Sequence, residues 1–289
     1  MAWITFSAEG RSRYGILHDG GVFDLHARIG SVLPDLKSLL TARALGMDLC
    51  PAPHIRDYAI DEVVFLPVIP NPAKVLCVGL NYQEHRRETG RAETKHPSIF
   101  TRFPDTLIGH RDSIRLPPNS TALDYEGELA VVIGRPAFRL DASEALEVVG
   151  GYTVFNDATI RDWQHHTHQF TPGKNFPATG ALGPALIDPL EAGPLEEKAI
   201  ETQLNGVTVQ SARLGDMIFT VAQIVAYVSG FTPLSVGDVI ATGTPGGVGF
   251  KRDPPSFMKD GDSVTVTIEG IGTLVNSIAP EIAPVAAAQ

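Results

Sequence analysis

The chain is nearly devoid of cysteine: Cys50 and Cys77 are the two thiols among 289 residues, and no zinc-type spacing relates them. A disulfide framework and a structural zinc site are thereby excluded, and both read as reduced thiols of a cytoplasmic protein. No apolar run approaches the length of about 20 residues that a membrane span needs. The start, Met1-Ala2-Trp3-Ile4-Thr5-Phe6, lacks the basic-then-apolar pattern of a secretory leader, so a cytoplasmic location is expected. Cations are outnumbered, 23 Lys and Arg against 33 Asp and Glu, for a net charge of −10. That balance argues against nucleic acid or an anionic membrane as partner. An anionic substrate would have to be held by local cations or by a metal. There is no Gly-x-Ser-x-Gly nucleophile elbow. The glycine-rich stretch Gly243–Gly249 fits neither the dinucleotide fingerprint nor the P-loop. Internal repeats are absent.

With 43% hydrophobic and 19% charged residues the chain can bury a substantial core, as one large domain or two unequal ones. His18-Asp19-Gly20-Gly21 reads as a hairpin turn between Tyr14–Leu17 and Val22–Leu25, and Leu36 to Leu49 has helix-forming composition. Prolines 51, 53, 67, 70 and 72 then punctuate the chain. They place a boundary near Asn71, between a small N-terminal domain (1–70) and a larger catalytic domain (71–289). Lys74–Leu80 reads as a buried strand running into a short polar helix at Asn81–Glu88. Asp141 with Glu144 predicts a capped helix ending at Gly150-Gly151. Tyr152–Phe155 predicts a strand that closes in Asn156-Asp157. Thr220 with Gln223 predicts a second capping box, followed by an amphipathic helix on Val221, Ile224, Val225 and Val228, stopped by Gly230. Val264, Val266 and Ile268 alternate with threonines as a strand does, ahead of a Gly270–Gly272 turn. The tail Val285–Gln289 is expected to fray. Strands dominate after residue 100 without regular βαβ alternation.

The most informative stretch is Asp124-Tyr125-Glu126-Gly127-Glu128-Leu129-Ala130-Val131-Val132-Ile133-Gly134. Two carboxylates stand two residues apart at the head of an apolar, β-branched run, the pattern of a buried strand. On a strand, i and i+2 share a face roughly 7 Å apart. Two anions there repel and lose hydration unless a cation joins them, and carboxylate oxygen is what Mg²⁺, Mn²⁺ and Ca²⁺ prefer. An edge strand with both acids facing water is the other reading. Asp157, closing a strand about 30 residues on, is the first further ligand to seek, because connected strands are often neighbours; a plain Asx turn would use the same residue.

His85 and Glu88, at i and i+3, share a helix face, and the carboxylate would fix the imidazole tautomer and raise its basicity, making a dyad that can deprotonate water. A solvated charged helix fits the same segment. Lys174, among turn formers in an uncharged stretch, either points a cation at a developing oxyanion or sits exposed in a loop. The backbone N–H groups around Gly243 and the Thr244 hydroxyl are placed to approach a carboxylate closely. Arg102 either binds a substrate carboxylate or forms a structural ion pair. Gln164 joins Arg102, Thr244 and Gly243 as a candidate substrate contact. His165, His166 and His168 are read as a polar loop near the site entrance rather than as zinc ligands.

Taken in order, five motifs between about Lys74 and Ile278 resemble the fumarylacetoacetate hydrolase family. These are Val78–Tyr82 with His85 and Glu88, Asp124–Leu129, Asn156-Asp157 with Arg161-Asp162, Gly173–Phe176 with Leu182–Pro184, and Gly237–Gly249. Within the family the chain is most similar to the acylpyruvate hydrolase and 2-hydroxyhepta-2,4-diene-1,7-dioate isomerase subgroup. The resemblance implies a mostly β (α+β) fold, a distorted rolled sheet or barrel behind a small N-terminal α+β domain, assembled as a homodimer. It implies Mg²⁺ or Mn²⁺, with Ca²⁺ as a substitute, on Glu126, Glu128 and Asp157. A lid helix would carry His85 and Glu88 over a small 2-oxo acid, Lys174 would stabilise an oxyanion or enolate, and Thr244 would contact the substrate's carboxylate end. The expected activity is metal-dependent hydrolysis of a C–C bond in an acylpyruvate such as fumarylpyruvate or maleylpyruvate, in aromatic-compound breakdown. Decarboxylation or isomerisation of a related diacid is the alternative, and a non-catalytic metal- or ligand-binding protein the alternative of another class. Two departures stand out. Lys174-Asn175-Phe176-Pro177-Ala178-Thr179-Gly180 replaces the family's frequent Lys-Ser-Phe-Asp-Thr, and the stretch before it is rich in histidine.

Overall fold

The computed structural model describes residues 1–47 and 49–281; the tail expected to fray lies outside them. Ten strands follow one another across a larger sheet: Tyr58–Ala59, Gly21–Asp24, Arg11–His18, Ala2–Ala8, Gly180–Ile187, Val149–Asp157, Gly127–Ile133, Val239–Ala241, Val75–Gly79 and Ser98–Arg102. Val64–Phe65 and Leu107–Ile108 pair at its flank. A five-stranded sheet orders Val207–Arg213, Ala199–Leu204, Ser263–Ile268, Gly272–Pro280 and Ser113–Leu116. The fold is mostly β, as expected, but the larger sheet stays open: no strand among the described residues closes it into a barrel. No helix there is long and apolar enough to cross a membrane.

Gly127–Ile133 is the central strand, buried at every position. Its side chains alternate between two cores. Leu129, Val131 and Ile133 enter the one shared with the five-stranded sheet and the helix Val221–Phe231, while Ala130 and Val132 enter the one shared with Leu36, Leu39 and Leu40. An uninterrupted apolar run is what burial on both faces requires. Each of its large side chains contributes about 1.5–3 kcal/mol by burial. Strands of the first 70 residues join the same sheet where Ala2 and Trp3 pair with Ile187 and Leu186.

Local signals worked where the chemistry was local. Asp19 and Gly20 both take positive φ, the two-residue turn expected between Arg11–His18 and Gly21–Asp24. Thr220 caps Val221–Phe231 with the reciprocal Gln223 box. This helix runs through Gly230, which is not its stop, and ends at Phe231, with Thr232 extended ahead of Pro233. The helix at Leu36 stops at Ala44, short of Leu49. Two expectations were wrong around residue 145. Glu144 does reach back to the Asp141 backbone, but only a 3₁₀ turn, Ala145–Val148, follows. Gly150 and Gly151 lie inside the strand Val149–Asp157 rather than ending a helix. Their task is close approach: a Cβ on Gly134 would sit 2.5 Å from the Gly150 Cα.

Candidate active site

Strand register assembles the acidic floor. Gly127 pairs with Asn156, so Glu126 faces Asp157 one step out, and the Asp157 N–H donates to the Glu126 carbonyl at 2.9 Å. Glu128 is two residues along from Glu126 on the same face. One oxygen from each of the three carboxylates lies within 4.8 Å of the others, and all three residues are buried.

The cations around them are unevenly shared. Lys174, 1% exposed, bridges Glu126 at 2.6 Å and Asp157 at 2.5 Å. Arg161 meets the other Glu126 oxygen at 2.7 Å. Arg102 pairs with the remaining Asp157 oxygen. Among the described residues Glu128 receives only the Gly243 backbone N–H, at 2.8 Å. Burial would raise the Glu126 carboxyl, but Lys174 and Arg161 overcome it and hold it at about 2. Burial and then the charges of Asp157 and Glu126 push Glu128 well above its usual range. Burial opposes the Lys174 charge, yet Asp157 and Glu126 keep it raised above its ordinary value. A hard divalent cation fits this floor: three convergent carboxylates, one without a cation of its own, supply the oxygen donors that Mg²⁺ or Mn²⁺ takes.

Above the floor, Gln83–Thr89 forms the expected short helix and buries His85 against the cavity. His85 Nδ1 and Glu88 Oε1 are 2.7 Å apart, and the other Glu88 oxygen accepts the Gly247 N–H at 3.0 Å. Gly247 has φ +96°, and a Cβ there would meet the Val209 carbonyl oxygen at 2.3 Å, so only glycine presents that N–H. With its proton directed to Glu88, Nδ1 leaves Nε2 as the basic nitrogen. His85 stands close enough for its charge to lower the Glu126 carboxyl.

The cavity encloses about 430 Å³. His85, Glu126, Glu128, Lys174, Thr244 and Gln164 all line it. Arg102 does not; its guanidinium donates to Asp157, the Ala158 carbonyl and Thr179 Oγ1, the ion pair that was one of its two expected roles. Gly243 approaches a carboxylate as expected, but that of Glu128. The Thr244 hydroxyl donates to the Gly127 carbonyl at 3.0 Å and accepts from Gln210 at 2.9 Å. Gln164 Oε1 accepts from Arg161 at 2.9 Å. His165 lies at the cavity wall beside Phe250, ring centroids 5.5 Å apart, whereas His166 packs on Trp163. The three histidines do not converge.

Sequence reasoning gave no role of its own to Arg161. It is buried, binds Glu126, and through Nε meets Asp124 at 2.8 Å. Its Nη2 is buried with no hydrogen-bond partner among the described residues, and the residue lines the cavity. Asp124 also accepts the Gly249 and Phe250 N–H groups, at 2.8 and 3.0 Å. The walls Phe100, Phe170 and Phe250 were missed as well. They come from three separate segments that carry no shared motif.

The sequence profile described as fumarylacetoacetate (FAA) hydrolase C-terminal matches residues 74–279. Oxaloacetate tautomerase YisK of Bacillus subtilis is 41% identical over 225 residues, covering 76% of this chain and 75% of its own. Among solved structures, a fumarylacetoacetate hydrolase from Exiguobacterium antarcticum superposes with a TM-score of 0.85 at 34% identity, over 97% of this chain and all of its own. A 2-hydroxyhepta-2,4-diene-1,7-dioate isomerase from Mycobacterium marinum gives 0.75 at 28% identity, over 97% and 99%. On its sequence, its fold and its buried acidic triad, the chain belongs to the fumarylacetoacetate hydrolase family.

Proposed function

We propose that this protein is a divalent-cation-dependent enzyme that interconverts the keto and enol forms of a short 2-oxo dicarboxylate of the oxaloacetate type. The observation that carries the reading is the His85–Glu88 pair, whose buried imidazole lines the same cavity as Lys174, Glu126 and Glu128. Metal binding alone would need none of His85, Glu88 and Lys174. That the Bacillus subtilis relative with 41% identity is an oxaloacetate tautomerase supports the choice among enolate chemistries.

Glu126, Glu128 and Asp157 would hold the cation, Mg²⁺ or Mn²⁺, which when bound supplies Lewis-acid polarisation of the 2-oxo group. The charge of Arg161, which lines the cavity, favours an adjacent substrate carboxylate. His85 Nε2 takes a proton from C3, and Glu88 stabilises the imidazolium that results. The Lys174 ammonium donates to the C2 oxygen as charge gathers there. The His85 imidazolium gives up that same proton to the C2 oxygen, which completes the enol and regenerates the neutral imidazole, and the reverse sequence restores the ketone.

Acylpyruvate hydrolysis is the second reading. The cavity of about 430 Å³ is larger than a four-carbon acid requires, and the same dyad would deprotonate water. One experiment separates them: purified protein with Mn²⁺, then with EDTA, given enol-oxaloacetate and, separately, fumarylpyruvate. Metal-dependent acceleration of the enol absorbance decay, without pyruvate, is expected. One equivalent of pyruvate from fumarylpyruvate would move the assignment to hydrolysis. Failure to accelerate tautomerisation in metal-loaded protein would refute the main reading.

A further inference from the structure

The mouth of the cavity carries charge that none of these steps uses. Arg91 follows the dyad helix immediately after Gly90, and Lys251 closes the 3₁₀ turn Gly249–Lys251. Both line the cavity, both are exposed, and neither forms an ion pair among the described residues. They reach the mouth from different sides of the chain, one from the helix that carries His85, the other from the loop tied to Asp124. Each is near enough to His165 for its charge, after burial and Arg161, to depress that imidazole. The three groups therefore share one rim. A depressed imidazole is neutral at neutral pH, so the rim charge is that of the two cations.

The cavity is thus polar at both ends. Its floor is built to hold one oxygen-rich end of a substrate. Between floor and rim stand Phe100, Phe170 and Phe250, which offer no hydrogen bond to a second carboxylate. The rim offers two cations without a carboxylate partner among the described residues, Lys251 resting over the Phe250 ring at 5.1 Å. In a protein of net charge −10 such a patch also sets the local sign of the field that an approaching anion meets.

We infer that Arg91 and Lys251 recognise the far carboxylate of the substrate and make the enzyme select 2-oxo diacids over their singly charged analogues. The inference rests on the 2-oxo acid reading of the floor. Arginine supplies a planar fork suited to a carboxylate, and lysine a point charge beside it. Neither touches the reacting atoms, so both act on specificity rather than on the chemical step.

The test compares oxaloacetate with its 4-methyl ester, which keeps the carbon skeleton and removes only the distal charge. Steady-state tautomerisation is followed for the Mn²⁺-loaded wild type, R91A/K251A and the charge-conserving R91K/K251R. The ratio of kcat/KM for diacid over ester should fall about tenfold in R91A/K251A, through KM for the diacid, and recover in R91K/K251R. Raising the salt concentration should lower kcat/KM for the diacid in the wild type and do so much less in R91A/K251A. An unchanged ratio, or equal losses on both substrates, overturns the inference. A wild type that converts diacid and ester equally well also overturns it while leaving the reading of the floor intact. Conversion of neither substrate means that the reading of the floor itself has failed, and the inference goes with it.

Discussion

Glu128→Gln should stabilise the metal-free protein and abolish its response to metal. One oxygen of Glu128 stands within 4.8 Å of one oxygen each of Glu126 and Asp157. At an effective dielectric of about 20, each such pair of like charges costs about 3.5 kcal/mol. One cation, Lys174, offsets roughly one of the two repulsions, leaving about 3 kcal/mol. Proton uptake limits this penalty. Because the folded protein holds the Glu128 proton more tightly than the unfolded chain does, the cost is absent below the ordinary value of 4.5 and grows as pH rises above it. Growth is at most about 1.4 kcal/mol per pH unit. At pH 7.5 in EDTA the full 3 kcal/mol is reachable, and at about 2 °C or more per kcal/mol the variant should melt about 6 °C above wild type. At pH 5.0 less than about 1 kcal/mol remains, so the gap should shrink to about 2 °C. A glutamine oxygen still accepts the Gly243 N–H, so geometry is kept. Wild type with Mn²⁺ at a hundredfold excess over its dissociation constant should gain about 2.7 kcal/mol, and the variant nearly nothing. Differential scanning fluorimetry at the two pH values, with and without Mn²⁺, reads all four numbers. A variant that melts below wild type in EDTA at pH 7.5, or that keeps the Mn²⁺ shift, refutes the electrostatic account of the floor.

Lys174→Met keeps side-chain bulk and removes the charge between Glu126 and Asp157, so the metal-free protein should lose about 3–5 kcal/mol in urea unfolding, and saturating Mn²⁺ should restore much of it; an unchanged midpoint in EDTA would show that the bridge carries no weight. Gly134→Ala places a methyl against the Gly150 backbone and should cost about 1–3 kcal/mol without altering metal affinity, checked by urea unfolding beside a Mn²⁺ titration.

The floor was legible because its signal is periodic and local. Two acids at i and i+2 ahead of an apolar strand announce a shared, buried face, and Asp157 closes a strand that could be its neighbour. His85 and Glu88 were legible for the same reason, at helical spacing. Arg102 could be narrowed to two roles but not decided, since its partner Asp157 is 55 residues away and strand register determines which of them meet. Arg161 showed only as a motif letter, because its value depends on Asp124 and Glu126 closing around it. Asp141 with Glu144 forms half of a box, followed only by a 3₁₀ turn, and Gly150-Gly151 looks like a helix stop because chain-reversing and close-packing glycines are indistinguishable without the opposing Gly134. Rim and aromatic walls belong to separate segments, and nothing in a linear pattern brings Arg91, Phe170 and Lys251 together.

Asp124 is one carboxylate with three clients: it grips Arg161 below, takes two backbone amides from the loop after Val248, and accepts its neighbour's amide from within its own segment. The loop therefore hangs from a fixed peg, with Phe250 laid against the Arg161 guanidinium, while the exposed side chain of Lys251 stays free to vary. A lineage carrying this arrangement can exchange what the mouth admits by substitutions that never disturb the hearth beneath it. New substrates would arise by rewriting a few residues of loop and helix end, with the strands inherited unchanged.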